Sequence, residues 1–254
     1  MKKVVENGRI LVNEPIIPAV WKMVFQTPVI AKEARPGQFV NVQKIGGVTF
    51  LRRPFGIVDA DVETGAVTII YRLVGKGTLE MAAMKAGDTI SVEGPLGEGT
   101  FTTTEGKALL VGGGVGLAPL IFLAKALPTK PIILVGGRTA AETFWTTFFE
   151  DYAEKIYITT DDGSKGIKGF AASALPQIFA AHPIDRVSTC GPTMMMKTVA
   201  EGCYTADVPC EVSMEKRMAC GFGVCLGCTF ESKLTGRRHK VCSDGPVFPA
   251  KEVF

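Results

Sequence analysis

The sequence predicts a multi-domain chain: an antiparallel β-barrel, then an α/β domain on a parallel sheet, then a small irregular C-terminal segment built around cysteines. Three observations predict it. Residues 1 to about 100 break into short β-rich runs at close spacing. From about 105, strands and helices alternate. From about 210 periodicity disappears, where four of the 7 cysteines gather.

In the first part the runs QFVNVQ, AVTIIYRLV and DTISVEG are separated by Gly, Pro and Asp. Short strands between such turn formers suit an antiparallel barrel or sandwich. One helical stretch interrupts them, GTLEMAAMKAGD, rich in helix formers and stopped by Gly87. In the second part KALLVGGG reads as a buried strand running into glycines. GLAPLIFLAKALP follows as a helix, with Pro119 in its first turn and Pro128 at its end. PIILVGG, KIYITTDDG and RVSTCGP read as further strands; TAAETFWTTFFEDYA, SALPQIFAAH and TMMMKTVAEG read as helices. That alternation means a parallel sheet with crossover helices. The last stretch, EVSMEKRMACGFGVCLGCTFESKLTGRRHKVCSDGPVF, is glycine-rich and polar. It cannot bury enough apolar surface alone, so something else must hold it, and metal is the ready candidate. The expected division is 1–102, 103–209 and 210–254.

Composition narrows the function. A length of 254 residues and a hydrophobic fraction of 46% support a sizeable core. A net charge of +3 and the lack of a long basic run give no reason to expect nucleic acid. MKKVVENGRILVNEP has charged and polar residues where a secretory leader needs an apolar stretch, and no window has the length of a membrane span. The chain is expected to be cytoplasmic, with its clustered cysteines acting as ligands.

Cys220, Cys225 and Cys228 follow C-x4-C-x2-C, and Cys242 stands further on. This is the plant-type [2Fe–2S] spacing. Gly221, Gly223 and Gly227 let the backbone turn tightly and bring N–H groups to sulfur. Zinc and disulfides are the competing readings. Zinc more often shows two short cysteine pairs, and disulfides are rare in the cytoplasm. Cys203 and Cys210 lack such spacing and read as buried hydrophobes.

Gly112, Gly113, Gly114 and Gly116 lie between a strand and a helix, where a pyrophosphate can approach the backbone. The pattern departs from G-x-G-x-x-G, with Pro119 at the third position. A turn that serves packing alone is the other reading. Cys190 and Gly191 end the fourth strand, where ligands of parallel sheets gather; Cys190 alone reads more often as an inert buried thiol. In the first part, Arg52, Arg53, Pro54, Phe55 and Gly56, then Tyr71 and Arg72, then Gly75, Lys76, Gly77 and Thr78 at a helix start, suit a phosphate-bearing ligand with a planar ring. Solvated arginines on a β surface are the bland alternative.

Together these stretches resemble the ferredoxin-NADP reductase superfamily, whose R-x-[YF]-[ST] motif is matched by Arg53-Pro54-Phe55-Gly56, with Gly56 in place of the hydroxyl residue. RPFG, IYRLVGKGT, GPLG, GGGVGLAP, TDDGSKGIKG, CGPTMMMK, KRMACGFGVCLGC and VCSDGPVF resemble, in order, the electron-transfer subunits of NAD-linked, two-component dihydroorotate dehydrogenases. The resemblance implies an FAD-binding barrel, an NAD-binding α/β domain and an appended [2Fe–2S] segment. Arg53, Pro54, Phe55 and Gly56 would line the flavin; Ile70, Tyr71 and Arg72 would continue its site; Gly77 and Thr78 would hold its pyrophosphate. Gly112, Gly113, Gly114, Gly116, Cys190 and Gly191 would receive NAD. Cys220, Cys225, Cys228 and Cys242 would ligate the cluster. No side chain is implied as a catalytic acid or base. It further implies an FMN-bearing catalytic partner that oxidises dihydroorotate in pyrimidine (UMP) biosynthesis, in a heterotetramer of two and two. Electrons would pass through the cluster and FAD to NAD. Arg237, Arg238 and Lys240 would face the partner, offset the cluster's charge, or form a solvated loop. An NAD(P)H:ferredoxin-type subunit of a transhydrogenase or sulfide dehydrogenase complex is the alternative enzyme. A zinc-stabilised interaction module is the non-enzymatic one. NAD and NADP stay open, though the resemblance favours NAD; Arg138 reads equally as a contact to a 2′-phosphate or as a surface residue.

Overall fold

The computed structural model describes residues 3–254. They form two compact units, neither contiguous in sequence. One holds the chain through Thr100 with Glu215–Phe230 and His239–Pro246; the other holds Phe101–Met214, Glu231–Arg238 and Val247–Phe254.

The first unit is a closed antiparallel barrel of β1 (Val4–Ile17), β2 (Val20–Gln26), β3 (Phe39–Lys44), β4 (Arg53–Asp61), β5 (Ala66–Arg72) and β6 (Thr89–Leu96). Its order is β1-β2-β5-β4-β3-β6, and β6 pairs back with β1, so no barrel edge is left open. Ile90 and Val92 alternate with more exposed neighbours along β6, the period-two pattern of a strand with one buried face. Two short helices attach to the barrel. α1 (Pro28–Glu33) begins on Pro28, whose fixed φ suits a first helical position. α2 (Lys76–Ala82) follows β5. The helix read in GTLEMAAMKAGD is thus present but ends at Ala82, before the Gly87 turn.

The second unit carries a seven-stranded sheet. β7 (Ala108–Gly113) leads into α3 (Leu117–Ala126), β8 (Ile132–Gly137) and β9 (Lys155–Thr160). β10 (Ile167–Lys168), α4 (Leu175–Ala181), β11 (Arg186–Cys190), α5 (Thr193–Thr205) and β12 (Cys210–Ser213) follow. The order is β10-β9-β8-β7-β11-β12, and the order reverses between β7 and β11. Its strands are near-continuous apolar runs: Leu109, Val111, Ile132, Leu134 and Val187 are fully buried beneath Leu175, Ile178 and Val199 of α4 and α5. Fully burying each such side chain contributes about 1.5–3 kcal/mol.

Two elements differ from the sequence reading. TAAETFWTTFFEDYA is not an α-helix: Ala140–Phe148 winds as a 3₁₀-helix. Thr143, Thr146 and Thr147 each donate a hydroxyl hydrogen bond to the carbonyl three residues back, which favours the tighter winding. Cys210–Ser213, assigned to the irregular tail, is instead a strand paired in parallel with β11. The tail itself holds a two-stranded sheet of β13 (Thr229–Glu231) and β14 (Arg238–Lys240). It ends in β15 (Val247–Pro249), antiparallel to β12, and α6 (Ala250–Val253).

Candidate functional site

The four cysteines of the C-x4-C-x2-C…C pattern all fall in the barrel unit. They stand in two pairs. The Cys225 N–H donates to Cys220 Sγ at 3.4 Å, and the Cys242 N–H donates to Cys228 Sγ at 3.4 Å. Cys228 and Cys242 are buried; Cys225 is exposed. Burial opposes the Cys220 thiolate, but N–H groups of Cys225, Phe222 and Val224 aimed at its sulfur outweigh burial and bring it down to about 6. Burial pushes the Cys242 thiol up to about 12, helped by the hydrogen-bonded Cys228 thiol and by negative charge at Cys228 and Cys220. Negative charge concentrated among these sulfurs is relieved by a cation. Among the described residues no three His, Cys, Asp or Glu side chains close on a single ion. Two thiol pairs do fit a two-iron cluster, with two sulfurs for each iron. No disulfide joins any of the seven cysteines.

The loops that present these cysteines rest on the barrel. The Glu98 N–H donates to the Ser243 carbonyl and the Gly99 N–H to the Gly245 carbonyl, both at 3.0 Å. Gly97, at φ +87, lies so close that a Cβ there would meet the Gly245 carbonyl at 2.5 Å. GPLG and CSDGP are therefore two halves of one joint that carries Cys242. On the other side, buried Asn41 of β3 lies against Gly221: a Cβ on Gly221 would stand 1.9 Å from Asn41 Nδ2. Asn41 donates to Glu93 Oε2 at 3.3 Å, and Arg52 sits 4.0 Å from the same carboxylate. Sequence reasoning missed Asn41. Its signal is a polar residue in FVNV, a run buried on both faces.

The flavin-type residues are brought together around α2. A Cβ on Gly77 would lie 2.6 Å from Arg53 Nε, so the Arg53 side chain lies directly on the backbone of the helix start. Gly75 is exposed, with open space where a side chain would be. Thr78 is placed differently from a direct phosphate contact. Its hydroxyl accepts from the N–H groups of Val74 (3.0 Å) and Gly75 (3.2 Å) and donates to the Gly75 carbonyl (3.0 Å), so it shapes the loop. Arg53, Pro54, Phe55 and Gly56 are half-buried along β4, and Arg72 is exposed at the end of β5. Ile70 and Tyr71 are enclosed. Tyr71 stacks near Phe55, with ring centroids 5.7 Å apart, and donates to Asn13 Oδ1 at 2.9 Å. Asn13 in turn donates to the Met81 and Met84 carbonyls. Tyr71 thus braces α2 from behind, and burial pushes its hydroxyl well above its ordinary value.

In the second unit, Gly112 and Cys190 are direct register partners across β7 and β11, at the point where the strand order reverses. Ligands of such sheets bind in the crevice at the strands' carboxyl ends there. The glycines do different jobs. A Cβ on Gly116 would meet Gly191 Cα at 2.5 Å and the Cys190 carbonyl at 2.6 Å. A Cβ on Gly112 would meet Leu117 at 2.6 Å and one on Gly113 would meet Met195 Sδ at 3.0 Å. Gly114 alone, at φ +57, has open space above it. The turn is packed from three sides and open on one, which fits a nucleotide backbone laid over Gly114.

Comparison with known proteins agrees with this geometry. Residues 215–254 match the family described as the iron-sulfur cluster binding domain of dihydroorotate dehydrogenase B. The chain is 41% identical over 251 residues to the dihydroorotate dehydrogenase B (NAD(+)) electron transfer subunit of Caldanaerobacter subterraneus subsp. tengcongensis, covering 98% of each chain. It is 38% identical to the subunit of the same name from Fusobacterium nucleatum, again covering 98% of each. A chain from the structure of an NADH-dependent reduced ferredoxin-NADP oxidoreductase superposes with a TM-score of 0.87 at 34% identity, over 97% of this chain and 89% of that one. A ferredoxin NADP+ reductase from Neisseria gonorrhoeae with bound FAD and NADP shares the fold, at a TM-score of 0.62 and 17% identity, over 79% of this chain and 91% of that one.

Proposed function

The chain belongs to the family of dihydroorotate dehydrogenase B electron transfer subunits, and from that premise we propose how its residues divide the work. Cys220, Cys225, Cys228 and Cys242 would hold a [2Fe–2S] cluster. Arg53, Pro54, Phe55, Gly56 and Arg72 line FAD directly; Gly77 presents backbone to it. Ile70, Tyr71 and Thr78 support that surface from behind. Gly112, Gly113, Gly114, Gly116, Cys190 and Gly191 form the NAD crevice. When bound, the cluster carries single electrons while FAD exchanges two with NAD, so the chain links one-electron and two-electron chemistry. The protein's part is placement: N–H groups on Cys220 favour its thiolate, the Gly97–Gly245 joint positions Cys242, and Arg53 lies ready for a flavin phosphate. No side chain need move a proton to a substrate.

The partner of this reading is a catalytic subunit bearing FMN that oxidises dihydroorotate, in an assembly of two and two, in the cytoplasm. Among the described residues no helix is long and apolar enough to cross a membrane. The observation that carries the reading is the paired cysteine set on a barrel that lays Arg53 over Gly77 at the start of α2. An anaerobic visible spectrum with iron, sulfide and flavin assays tests it. Flavin bands with about two irons and two sulfides per chain are expected; zinc without flavin would overturn it. A second reading, an NAD(P)H:ferredoxin-type subunit, is favoured by the similar chain from a reduced ferredoxin-NADP oxidoreductase. Dihydroorotate-dependent NADH formation with the catalytic partner separates the two.

A further inference from the structure

In a doubly wound sheet the residue just after the second strand, about 20 positions beyond the glycine turn, reads the ribose. An acidic residue there accepts from the 2′-OH, and an arginine there takes a 2′-phosphate. In this chain that position is Arg138, directly after β8. Taken alone it argues for a phosphorylated nucleotide.

The geometry argues otherwise. Arg138 is exposed, but its guanidinium is already engaged. Its Nε donates to Glu142 Oε1 at 2.8 Å, and a terminal guanidinium nitrogen reaches the same oxygen at 2.5 Å. Its backbone N–H donates to the other carboxylate oxygen at 2.9 Å. One carboxylate therefore grips both the backbone and the guanidinium of the same residue. Glu142 is itself fixed, since its N–H donates to the Thr139 carbonyl at 3.0 Å at the start of the 3₁₀-helix.

The turn after β9 closes on the same place. The Asp161 N–H donates to the Gly137 carbonyl at 3.1 Å and the Asp162 N–H to the Arg138 carbonyl at 3.2 Å. The Ala140 N–H donates to Ser164 Oγ at 2.7 Å, and that hydroxyl donates to Asp162 Oδ1 at 2.6 Å. The Glu142 carboxylate binds the arginine and the Asp161 carboxylate adds negative charge near it, while the Asp162 carboxylate accepts from the Ser164 N–H and hydroxyl. Lys165 lies in the same turn, where its backbone bonds Thr160. A dianionic 2′-phosphate brought here meets a cation already paired and carboxylates that repel it.

Building on the NAD reading above, we infer that Glu142 sets nucleotide preference. It holds Arg138 closed, denies a 2′-phosphate its cation, and so leaves the crevice to the unphosphorylated ribose of NAD(H). The residue that excludes NADP(H) is then not the one at the ribose-reading position. It lies four residues on and acts through that residue.

The test uses the FAD- and cluster-loaded complex with ferricyanide as electron acceptor. It reads kcat/KM for NADH and NADPH in wild type, Glu142→Gln, Arg138→Ala and the double variant. The glutamine keeps the shape but loses the charge. It should raise the NADPH-to-NADH ratio by about two- to fivefold, the scale of releasing an exposed ion pair. Arg138→Ala should not raise it, and adding Arg138→Ala to Glu142→Gln should remove the gain. An unchanged ratio in Glu142→Gln, or a gain that survives in the double variant, overturns the inference while leaving NAD binding intact. Wild type reduced by neither nucleotide overturns the NAD reading, and the inference with it.

Discussion

Two glycine-rich loops serve the two units, and they are built on opposite terms. In the turn of 112–116, Gly112 and Gly113 face the side chains of Leu117 and Met195, but the tightest neighbours of Gly116 are backbone atoms, Gly191 Cα and the Cys190 carbonyl. In the cluster loop, Gly221 faces the side chain of Asn41 on a barrel strand, and Gly223 faces Ser243 at 3.1 Å. Gly116 is walled by main chain that cannot change with sequence. Gly221 and Gly223 are walled by side chains that can. A nucleotide turn needs only a fixed shape. A metal loop also needs polar groups at chosen distances from sulfur, and the barrel supplies one.

That contrast can be broken by substitution. The largest effect is expected at Gly116→Ala. Its Cβ would overlap backbone on two sides, so a loss of about 3 kcal/mol in stability is expected, read by chemical denaturation. No side-chain change nearby should restore it. Gly221→Ala comes next. It adds a Cβ at φ +79 against Asn41, and iron content should fall below half of wild type. Here Asn41→Ala in the same chain should recover part of the iron, because the obstacle is a side chain. Equal rescue at both sites, or at neither, would erase the distinction. Gly114→Ala should be milder, at about 1 kcal/mol for the left-handed backbone. Because the added methyl would fill the open cradle, KM for NADH should rise while the fold survives. The smallest effect concerns cluster-free protein. The Cys220 thiol falls from an ordinary 9 to about 6, so its thiolate supports the fold fully above pH 9 and that support is lost as pH falls through 6. Alkylation of Cys220 by iodoacetamide should show a midpoint near 6. A midpoint near 9 would mean that the N–H cradle forms only around metal.

Much of this was legible in the sequence. The barrel, the alternating strands and helices and the cysteine spacing come from local periodicity and turn chemistry. β7, β9 and β11 lie where KALLVGGG, KIYITTDDG and RVSTCGP place them. What escaped depends on long-range contact. Cys210–Ser213 and Val247–Pro249 look irregular because each is a short strand whose partner is remote in sequence. Asn41 is silent until Gly221 packs on it, 180 positions later by number. Tyr71 and Thr78 could be marked as site residues from motif alone, but only hydrogen bonds to Asn13 and Gly75 show that they brace the loop. Arg138 carries opposite meanings until Glu142 is seen to grip it.

The path of the chain has one more consequence. The polypeptide completes the barrel, builds the sheet, returns to the barrel unit for Glu215–Phe230, leaves for Glu231–Arg238, returns for His239–Pro246, and finishes in the sheet. No single cut can therefore release a self-sufficient half. A fragment ending at Met214 would lack all four cysteines proposed as ligands and the antiparallel partner of β12. On the ribosome, the barrel and most of the sheet emerge before the first ligand cysteine, and the final strand emerges after the last. Metal loading thus comes late in biosynthesis, onto a scaffold most of whose strands have already been made.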